Sequence, residues 1–210
     1  MPAQMSLPGL EPSMECFEPD PIQRRTSGPP LFNLFAALVP DREDADRMQP
    51  VVTELLRHDG LTGAPVPAER QHVTLVSIAM FIGPIPLLTV DAARTAVARV
   101  SGPPLSLVFD RVLTFTGNKT PTFVTLCDAA SDAGIARLRQ KLAHALKGLK
   151  QPLTLSRTPH MSLQYGPRQE IAEHAIEPLR WTARRFALVL SHYGEGHHQW
   201  IDERPLDAPA

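Results

Sequence analysis

Two short segments of the sequence each place a histidine and a hydroxyl two residues apart. His72 and Thr74 lie in a segment that reads Gln-His-Val-Thr-Leu-Val-Ser-Ile, and His160 and Ser162 lie in one that reads Thr-Pro-His-Met-Ser-Leu-Gln-Tyr-Gly. Successive side chains of a strand alternate between its faces, so each histidine shares a face with its hydroxyl. Two such strands side by side would present two imidazoles and two hydroxyl donors to a small anion. That set of groups suits phosphate-ester chemistry without a metal.

The two segments share more than the histidine and the hydroxyl. In each, a leucine follows the hydroxyl, so both read His-x-Thr/Ser-Leu, and we refer to residues 72–75 and 160–163 as the two tetrads. A lone histidine on an apolar strand is usually a core residue, but two polar side chains on one face of a strand are costly to bury unless they meet something polar. The repeated pattern therefore favours a shared polar site, with core packing of both histidines as the structural alternative.

Composition and charge narrow the possible classes of protein. The chain has 210 residues, of which 43% are apolar and 20% charged, as in one globular domain of ordinary size. A net charge of −1 argues against binding of duplex DNA through a broad basic surface. It is compatible with an RNA end or a small cyclic phosphate as the ligand. No apolar run approaches the roughly 20 residues of a membrane span, and the first residues lack the features of a secretory signal. We therefore expect a cytoplasmic monomer without membrane association.

Metal and disulfide sites are not predicted. Two cysteines, Cys16 and Cys127, are too few for a disulfide framework and lie in no metal-ligand spacing. His197 and His198 beside Glu195 adjoin a glycine-rich turn and have no matching cluster elsewhere, so they are interpreted as loop histidines. The remaining histidines follow no common pattern: His58, His144, His174 and His192. We expect no metal and no cofactor.

Proline placement and apolar spacing divide the chain into a tail and one domain. Residues 1–29 are rich in proline and have little apolar periodicity, which predicts a flexible tail, and residues 30–210 are predicted to form a single domain. Within that domain, apolar runs and helical spacing predict the order β-α-β-α-β-β-α-β-β-β, with both tetrads on strands. The predicted strands cover 31–39, 71–81, 105–115, 121–127, the second tetrad, 185–192 and 199–204, and the predicted helices cover 42–58 (with a kink or restart at Pro50), 90–100 and 132–149.

The predicted order of elements indicates the fold class. Hairpins are mixed with crossovers, which makes a purely parallel doubly wound sheet improbable and favours an α+β fold. The histidines of the two tetrads are 88 residues apart, and each lies on a predicted strand beside a helix. That repetition suggests two related lobes.

The arrangement resembles the 2H phosphoesterase superfamily, specifically the bacterial 2'-5' RNA ligase family of RNA 2',3'-cyclic phosphodiesterases. The resemblance runs from Leu31 to Leu206 and includes the opening strand Leu-Phe-Asn-Leu-Phe-Ala-Ala-Leu-Val-Pro, both tetrads, the Thr-Pro before His160 and the closing strand Arg-Phe-Ala-Leu-Val-Leu-Ser. Two tetrads in this order and spacing form a fairly specific pattern. The resemblance implies a bilobal α+β fold with pseudo-twofold symmetry, in which largely antiparallel sheets and outer helices surround a central cleft with the tetrads on facing inner strands.

The resemblance also implies a reaction and roles for the four tetrad residues. In hydrolysis of a ribose 2',3'-cyclic phosphate, on an RNA end or a nucleotide, His72 and His160 would transfer protons, and Thr74 and Ser162 would bind non-bridging phosphate oxygens. Reversible 2'-5' RNA ligation is implied as an accompanying activity. Displacement at phosphorus needs a base and an acid on opposite sides, and an ordinary imidazole pKa of about 6.5 makes both forms available near neutrality. The alternative is a module of the same fold that binds RNA ends or nucleotides without turnover.

One position departs from the family pattern. Several family members have a basic residue five positions after the second histidine, where this chain has Tyr165. Strict alternation along the strand would turn Tyr165 away from the cleft and Gln164 toward it, unless the strand ends at Ser162 or Leu163. Tyr165 is kept as a candidate phosphate contact, and three basic residues are candidates for the missing charge, each with a solvated surface position as the alternative: Arg157, Arg168 and Lys119.

Overall fold

The computed structural model describes residues 15–117, 120–149, 151–155 and 158–207. Within these ranges, three α-helices accompany eleven β-strands. The helices are α1 (Arg42–His58), α2 (Leu87–Val97) and α3 (Ala129–Ala145). The strands are β1 (Cys16–Phe17), β2 (Leu31–Leu38), β3 (Val73–Ile82), β4 (Ile85–Pro86), β5 (Leu105–Phe115), β6 (Thr122–Cys127), β7 (Thr154–Leu155), β8 (His160–Tyr165), β9 (His174–Ala183), β10 (Arg185–His192) and β11 (His197–Pro205).

The main sheet consists of two halves that meet at the tetrad strands. Its strand order is β11-β10-β2-β3-β8-β6-β5-β9, with antiparallel pairing throughout, and the short strand β7 adds to β3. The central strands β3 and β8 are joined by one registered pair, Val73 with Met161. Each tetrad therefore lies on the innermost strand of its own half of the sheet, except that His72 directly precedes β3.

The two halves repeat the same local unit. In the first half, β2, α1 and β3 follow one another, and in the second half β6, α3 and β8 do so, with the short strand β7 before β8. Both helices have 17 residues and begin after an aspartate, Asp41 or Asp128. In both units the strand before the helix pairs antiparallel with the tetrad strand after it. The predicted α+β class and the bilobal, pseudo-symmetric arrangement are confirmed.

The helices cover one face of the sheet. On α1 the residues Met48, Val52 and Leu56 are buried at helical spacing, as the apolar pattern predicts, and they join the same core as the inward residues of β2 and β3. The helix runs from Arg42 to His58 without interruption, although a kink or restart at Pro50 was predicted. Proline costs one main-chain hydrogen bond, and burial of the apolar stripe offsets that loss. No helix among the described residues is long and apolar enough to cross a membrane.

Strand β9 (His174–Ala183) was missed by the sequence patterns. Glu177, Pro178 and Arg180 interrupt the apolar alternation there, so no strand was predicted over this range. The strand forms the outer edge of the sheet and pairs with β5 alone. An edge strand tolerates proline and charged side chains because one of its sides needs no ladder partner.

Residues 15–29 lie along the body of the protein, whereas the sequence predicted a flexible tail over 1–29. Cys16–Phe17 pairs with Ile85–Pro86, and Asp20 exchanges hydrogen bonds with β11. The main-chain nitrogen of Thr26 donates to the carboxylate of Glu195 at 3.2 Å. These contacts are largely polar and distant in sequence, so apolar periodicity could not indicate them. Residues 1–14 lie outside the described part of the chain.

Candidate active site

The register between β3 and β8 brings the tetrads together. Val73 and Met161 form the registered pair, and both side chains are fully buried in the core beneath the helices. Side chains alternate along a strand, so the residues on either side of this pair point to the opposite face of the sheet. We call that face, which carries the histidine and the hydroxyl of each tetrad, the cleft face.

The four polar tetrad residues form a crossed arrangement on the cleft face. Because β3 and β8 are antiparallel, His72 lies across from Ser162, and Thr74 lies across from His160. Each imidazole therefore has a hydroxyl of its own strand two residues away and a hydroxyl of the other strand opposite. All four side chains are partly exposed, as a site open to a ligand requires.

Both imidazoles are oriented in the same way. The Nδ1 atom of His72 is 2.7 Å from the carbonyl oxygen of Arg70, and the Nδ1 atom of His160 is 2.9 Å from the carbonyl oxygen of Thr158. A carbonyl oxygen can only accept, so Nδ1 carries the hydrogen in each ring. Each Nε2 atom, which has no hydrogen-bond partner among the described residues, is then the atom that can take or give a proton.

The protein environment favours the neutral form of both histidines. Burial lowers the pKa of His72 to about 4, and positive charge on His160 and Arg70 acts in the same direction. Burial also lowers the pKa of His160, with the guanidinium of Arg139 adding to the effect. Both rings are therefore neutral at pH 7 in the free protein. A phosphate bound between them would favour protonation of one ring by its negative charge.

Aromatic side chains account for much of this burial. The ring of Phe35 on β2 lies 5.3 Å from the ring of His72, measured between centroids, and the ring of Phe115 on β5 lies 5.0 Å from that of His160. One phenylalanine from each half of the sheet thus packs against one histidine. An apolar neighbour disfavours the charged imidazole, which explains the direction of both pKa shifts.

Arg139 reaches the site from the helix side of the sheet. Its guanidinium donates to the carbonyl oxygen of Thr74 at 2.8 Å, and the residue is only 6% exposed. Within the described ranges, no carboxylate lies within ion-pair distance of it. Its buried charge therefore acts on the site, where it lowers the pKa of His160. Sequence reasoning missed Arg139, although its position four residues after the buried Ile135 on α3 was a usable signal.

A third histidine touches the site, contrary to its assignment to a loop. His198 lies on β11, and the centroid of its ring is 5.3 Å from that of His72 and 5.7 Å from that of Phe35. Burial lowers the pKa of His198 to about 3, and charge on His72 contributes to the shift. The strand begins at His197, two residues earlier than predicted, so neighbouring histidines point to opposite sides. His197 pairs instead with Asp20 at 2.9 Å.

A bulge in β8 corrects the expectation for Tyr165. The register of β8 against β6 shifts between Ser162 and Gln164, so that Leu163 is an extra residue. Alternation resumes one position later, which places Tyr165 on the same side as Ser162, where it is 46% exposed. Gln164 is buried instead, and its amide donates to the carbonyl oxygen of Thr62 at 3.0 Å. The strictly alternating prediction was therefore wrong at both positions.

Arg70 is the cation that the structure brings to Tyr165. The central guanidinium carbon of Arg70 lies 5.8 Å from the centroid of the Tyr165 ring. Arg168, a sequence candidate for this charge, is exposed and makes no hydrogen bond or ion pair with the described residues. The other two candidates, Arg157 and Lys119, lie outside the described residues. Arg70 was missed because its proximity to Tyr165 depends on the register of two strands that are distant in sequence.

One group of side chains outside the tetrads has metal-ligand chemistry. His58, Asp59 and His174 place their ligand atoms within 4.8 Å of one another, although the sequence showed no pattern that links the two histidines. The Nδ1 atom of His58 and the Nε2 atom of His174 lie 2.9 and 3.3 Å from the same carboxylate oxygen of Asp59. A hydrogen bond from His58 to this oxygen and the close approach of His174, whose Nδ1 atom contacts the carbonyl oxygen of Ala172 at 3.2 Å, account for this geometry without an ion.

Comparison with protein families gives a match over most of the chain. The profile of the 2'-5' RNA ligase superfamily matches residues 23–195. A search of curated proteins finds no match.

Solved structures share the fold at low sequence identity. The crystal structure of Escherichia coli LigT complexed with ATP is 17% identical, with a TM-score of 0.60, and the match covers 85% of this chain and 99% of that chain. The protein TT0787 of Thermus thermophilus is 19% identical, with a TM-score of 0.59 and coverage of 83% and 97%. A crystal structure described as a phosphoesterase is 17% identical, with a TM-score of 0.60 and coverage of 86% and 100%. At these identities the likeness concerns the fold.

Proposed function

This chain belongs to the 2'-5' RNA ligase superfamily, and from that premise we propose that it is a metal-independent phosphodiesterase that hydrolyses 2',3'-cyclic phosphates of RNA ends or nucleotides. The superfamily supports phosphoryl transfer as the general chemistry. The observation that carries the specific proposal is the pair of imidazoles, His72 and His160, at the start of adjoining strands. Each has Nδ1 hydrogen-bonded to a carbonyl oxygen and Nε2 without a hydrogen-bond partner among the described residues.

The proposed reaction uses the two rings on opposite sides of one phosphorus atom. One neutral imidazole takes a proton from water as the water oxygen bonds to phosphorus. The other, protonated imidazole gives its proton to the ribose oxygen as the bond from phosphorus to that oxygen breaks. Attack by a ribose hydroxyl in place of water would use the same two roles: the neutral imidazole takes the proton of that hydroxyl, and the protonated imidazole gives its proton to the departing ribose oxygen. The product is a phosphodiester, so a 2'-5' ligase activity requires no additional groups.

Nucleotide binding by a structural relative supports the substrate class. Crystal structures of Escherichia coli LigT are described as complexes with phosphate, with 3'-AMP and with ATP. Our proposal carries this binding over to the cleft face of the present chain. There the neutral hydroxyls of Thr74 and Ser162 would donate hydrogen bonds to the non-bridging phosphate oxygens.

Removal of either hydroxyl should lower turnover moderately. Thr74→Ala and Ser162→Ala are each expected to lower kcat/KM roughly 10- to 100-fold, because each loses one hydrogen bond to a charged oxygen, worth about 1.5 to 3 kcal/mol. Thr74→Ser should retain most of the activity. Ser77→Ala, which removes a hydroxyl of the same strand that bonds to Asn33 at 2.9 Å, is the matched control. Initial rates with a cyclic nucleotide measure the effect, and equal losses in Thr74→Ala and the control would contradict the assigned role.

The proposed activity can be tested directly with cyclic nucleotides in the presence of EDTA. We expect adenosine 2',3'-cyclic phosphate to be converted to a single monophosphate, with a rate in EDTA within about twofold of the untreated rate, because the proposed mechanism uses side chains alone. Chromatography of the products would distinguish the 2'- from the 3'-phosphate.

Two outcomes of that assay would count against the proposal in different ways. Absence of turnover with both cyclic nucleotides and RNA ends that bear a cyclic phosphate would contradict the phosphodiesterase activity and favour a binding module. Activity that is lost in EDTA and restored by a divalent ion would contradict the metal-free mechanism. His174→Ala would then show whether the group around Asp59 holds that ion.

A further inference from the structure

Two arginine side chains converge at the turn between β10 and β11. A β-carbon added to Gly196 would lie 2.9 Å from an Nη2 atom of Arg25 and 3.2 Å from an Nη1 atom of Arg70. Both guanidinium groups therefore lie where a side chain at position 196 would begin, and the glycine leaves that space open to them. The backbone of this glycine has a positive φ of 74°, which glycine adopts without strain.

Neither guanidinium has a counterion in the part of the chain that the structure describes. Across the described ranges, no carboxylate lies within ion-pair distance of the side chain of Arg25 or of Arg70. The side chain of Arg70 makes no hydrogen bond there, and its Nε atom is buried without a partner. Arg25 donates to the carbonyl oxygen of Gly194 at 3.2 Å. Two like charges held this close repel each other, and an anion between them would turn the repulsion into attraction.

The acidic residue of the turn has another role. The carboxylate of Glu195 accepts hydrogen bonds from the main-chain nitrogens of Arg25 and Thr26, and it lies 3.6 Å from the Nε atom of Arg24. The hydrogen bonds from Thr26 and Arg25 lower the pKa of Glu195, which keeps it ionised. Glu195 thus fixes the main chain of the N-terminal segment and leaves the side chain of Arg25 available to a ligand.

The arginine pair adjoins the tetrads. Arg70 precedes His72 by two residues, and its carbonyl oxygen orients that histidine. Its guanidinium lies over the ring of Tyr165, which the bulge at Leu163 turns to the same side as Ser162. The pair therefore lies at the edge of the cleft face, within reach of a second anionic group on a molecule whose first phosphate is bound by the tetrads.

We infer that Arg25 and Arg70 form a second phosphate subsite beside the tetrads. The inference rests on the proposed function of that site and specifies its substrate class. The tetrads bind the cyclic phosphate on the terminal ribose, and the two arginines bind the phosphate on the 5' side of the same nucleoside. The preferred substrate is then an RNA end, or a nucleoside cyclic phosphate that also has a 5'-phosphate. A nucleoside cyclic phosphate without that group is bound less tightly.

Binding measurements without turnover test the subsite. Isothermal titration of the full chain with adenosine 3',5'-bisphosphate and with adenosine 3'-monophosphate should show at least about 10-fold tighter binding of the bisphosphate, as expected for charge-assisted hydrogen bonds. Arg25→Gln and Arg70→Gln should each reduce this preference to less than about threefold. Arg25 is exposed, so its variant is expected to fold normally. Arg94→Gln, at an exposed arginine of α2 that lies 3.5 Å from Asp91, is the charge-matched control and should retain the preference.

The outcomes separate the subsite from the proposed activity. Equal affinity of the wild type for the two nucleotides, or an unchanged preference in both arginine variants, would overturn the subsite even if cyclic phosphates are hydrolysed. Tighter binding of the bisphosphate that depends on Arg25 and Arg70, together with no hydrolysis of any cyclic phosphate, would support the subsite and contradict the activity. Where hydrolysis occurs, Arg25→Gln should lower kcat/KM for a dinucleotide with a cyclic end about 10-fold and leave that for the cyclic nucleoside within about twofold.

Discussion

Replacement of either tetrad histidine is expected to lower kcat by about 10² to 10⁴, the usual range for a positioned acid or base. His72→Ala and His160→Ala each remove one of the two Nε2 atoms that the proposed reaction requires. The double variant should lose less than the product of the two single losses, because residues that act as a unit are not additive. Initial rates with a 2',3'-cyclic nucleotide measure all three variants.

Asparagine variants separate the loss of the proton carrier from the loss of the hydrogen bond. In His72→Asn and His160→Asn, the side-chain amide can still donate to the carbonyl that Nδ1 contacts, but no atom replaces Nε2. These variants should be as inactive as the alanine variants. His144→Ala, at an exposed histidine of α3, should have normal turnover. Normal turnover in either asparagine variant, with the fold verified by circular dichroism, would exclude that histidine from catalysis.

Mild acid is expected to destabilise the protein strongly. The pKa of His72 is about 4 and that of His198 about 3 in the folded state, below the unperturbed value of about 6.5 that applies when the chain is unfolded. Between these values the unfolded state binds more protons. The contribution to stability is therefore complete above pH 6.5 and is lost progressively as the pH falls. At about 1.4 kcal/mol per pKa unit, each histidine accounts for a loss of roughly 3 kcal/mol by pH 4.5.

Variants at His198 should reduce this pH dependence. Two losses of about 3 kcal/mol approach the 5 to 15 kcal/mol that stabilises a typical domain, so urea midpoints should fall steeply between pH 7 and 4.5. His198→Gln removes one group that takes up a proton on unfolding and should reduce that fall by the roughly 3 kcal/mol assigned to it. His144→Gln should not change the fall. The same decrease in free energy of unfolding in His198→Gln and the wild type would show that protonation of His198 does not drive the acid effect.

The sequence predicted those features of the site that depend on local pattern. His72 and His160 were identified because each shares a strand face with a hydroxyl, and alternation along a strand needs no knowledge of the rest of the fold. The helices were predicted for a similar reason, since buried residues such as Met48 and Val52 recur at helical spacing. The repeated tetrads suggested two lobes, and the resemblance implied the same arrangement. The repeated strand-helix-strand units confirm it.

The residues that were missed reach the site through long-range packing. Arg70 meets Tyr165 only because β3 and β8 adjoin and because a bulge shifts the alternation of side chains. The sequence gives no sign of that bulge, because polar and apolar residues alternate regularly from Met161 to Gln164. The contact between His198 and His72 depends on the order of strands in this half of the sheet, where β10 and β2 lie between β11 and β3. Arg139 contacts the main chain of Thr74 from the opposite side of the sheet. Each of these contacts depends on strand order or register, which one sequence does not contain as a local signal.

The pairing of Val73 with Met161 makes the alignment of the cleft face depend on residues of the buried face of the sheet. Since the side-chain period of a strand is two, a slip of β8 by one residue would send His160 and Ser162 into the core and expose Met161 and Leu163 to water. Both apolar side chains are fully buried in the native register, so the slipped form would lose their burial and also desolvate the polar pair. The slipped register is thus less stable than the native one, whether or not a substrate is bound. Burial of Met161 and Leu163 therefore fixes the register that places His160 and Ser162 on the cleft face.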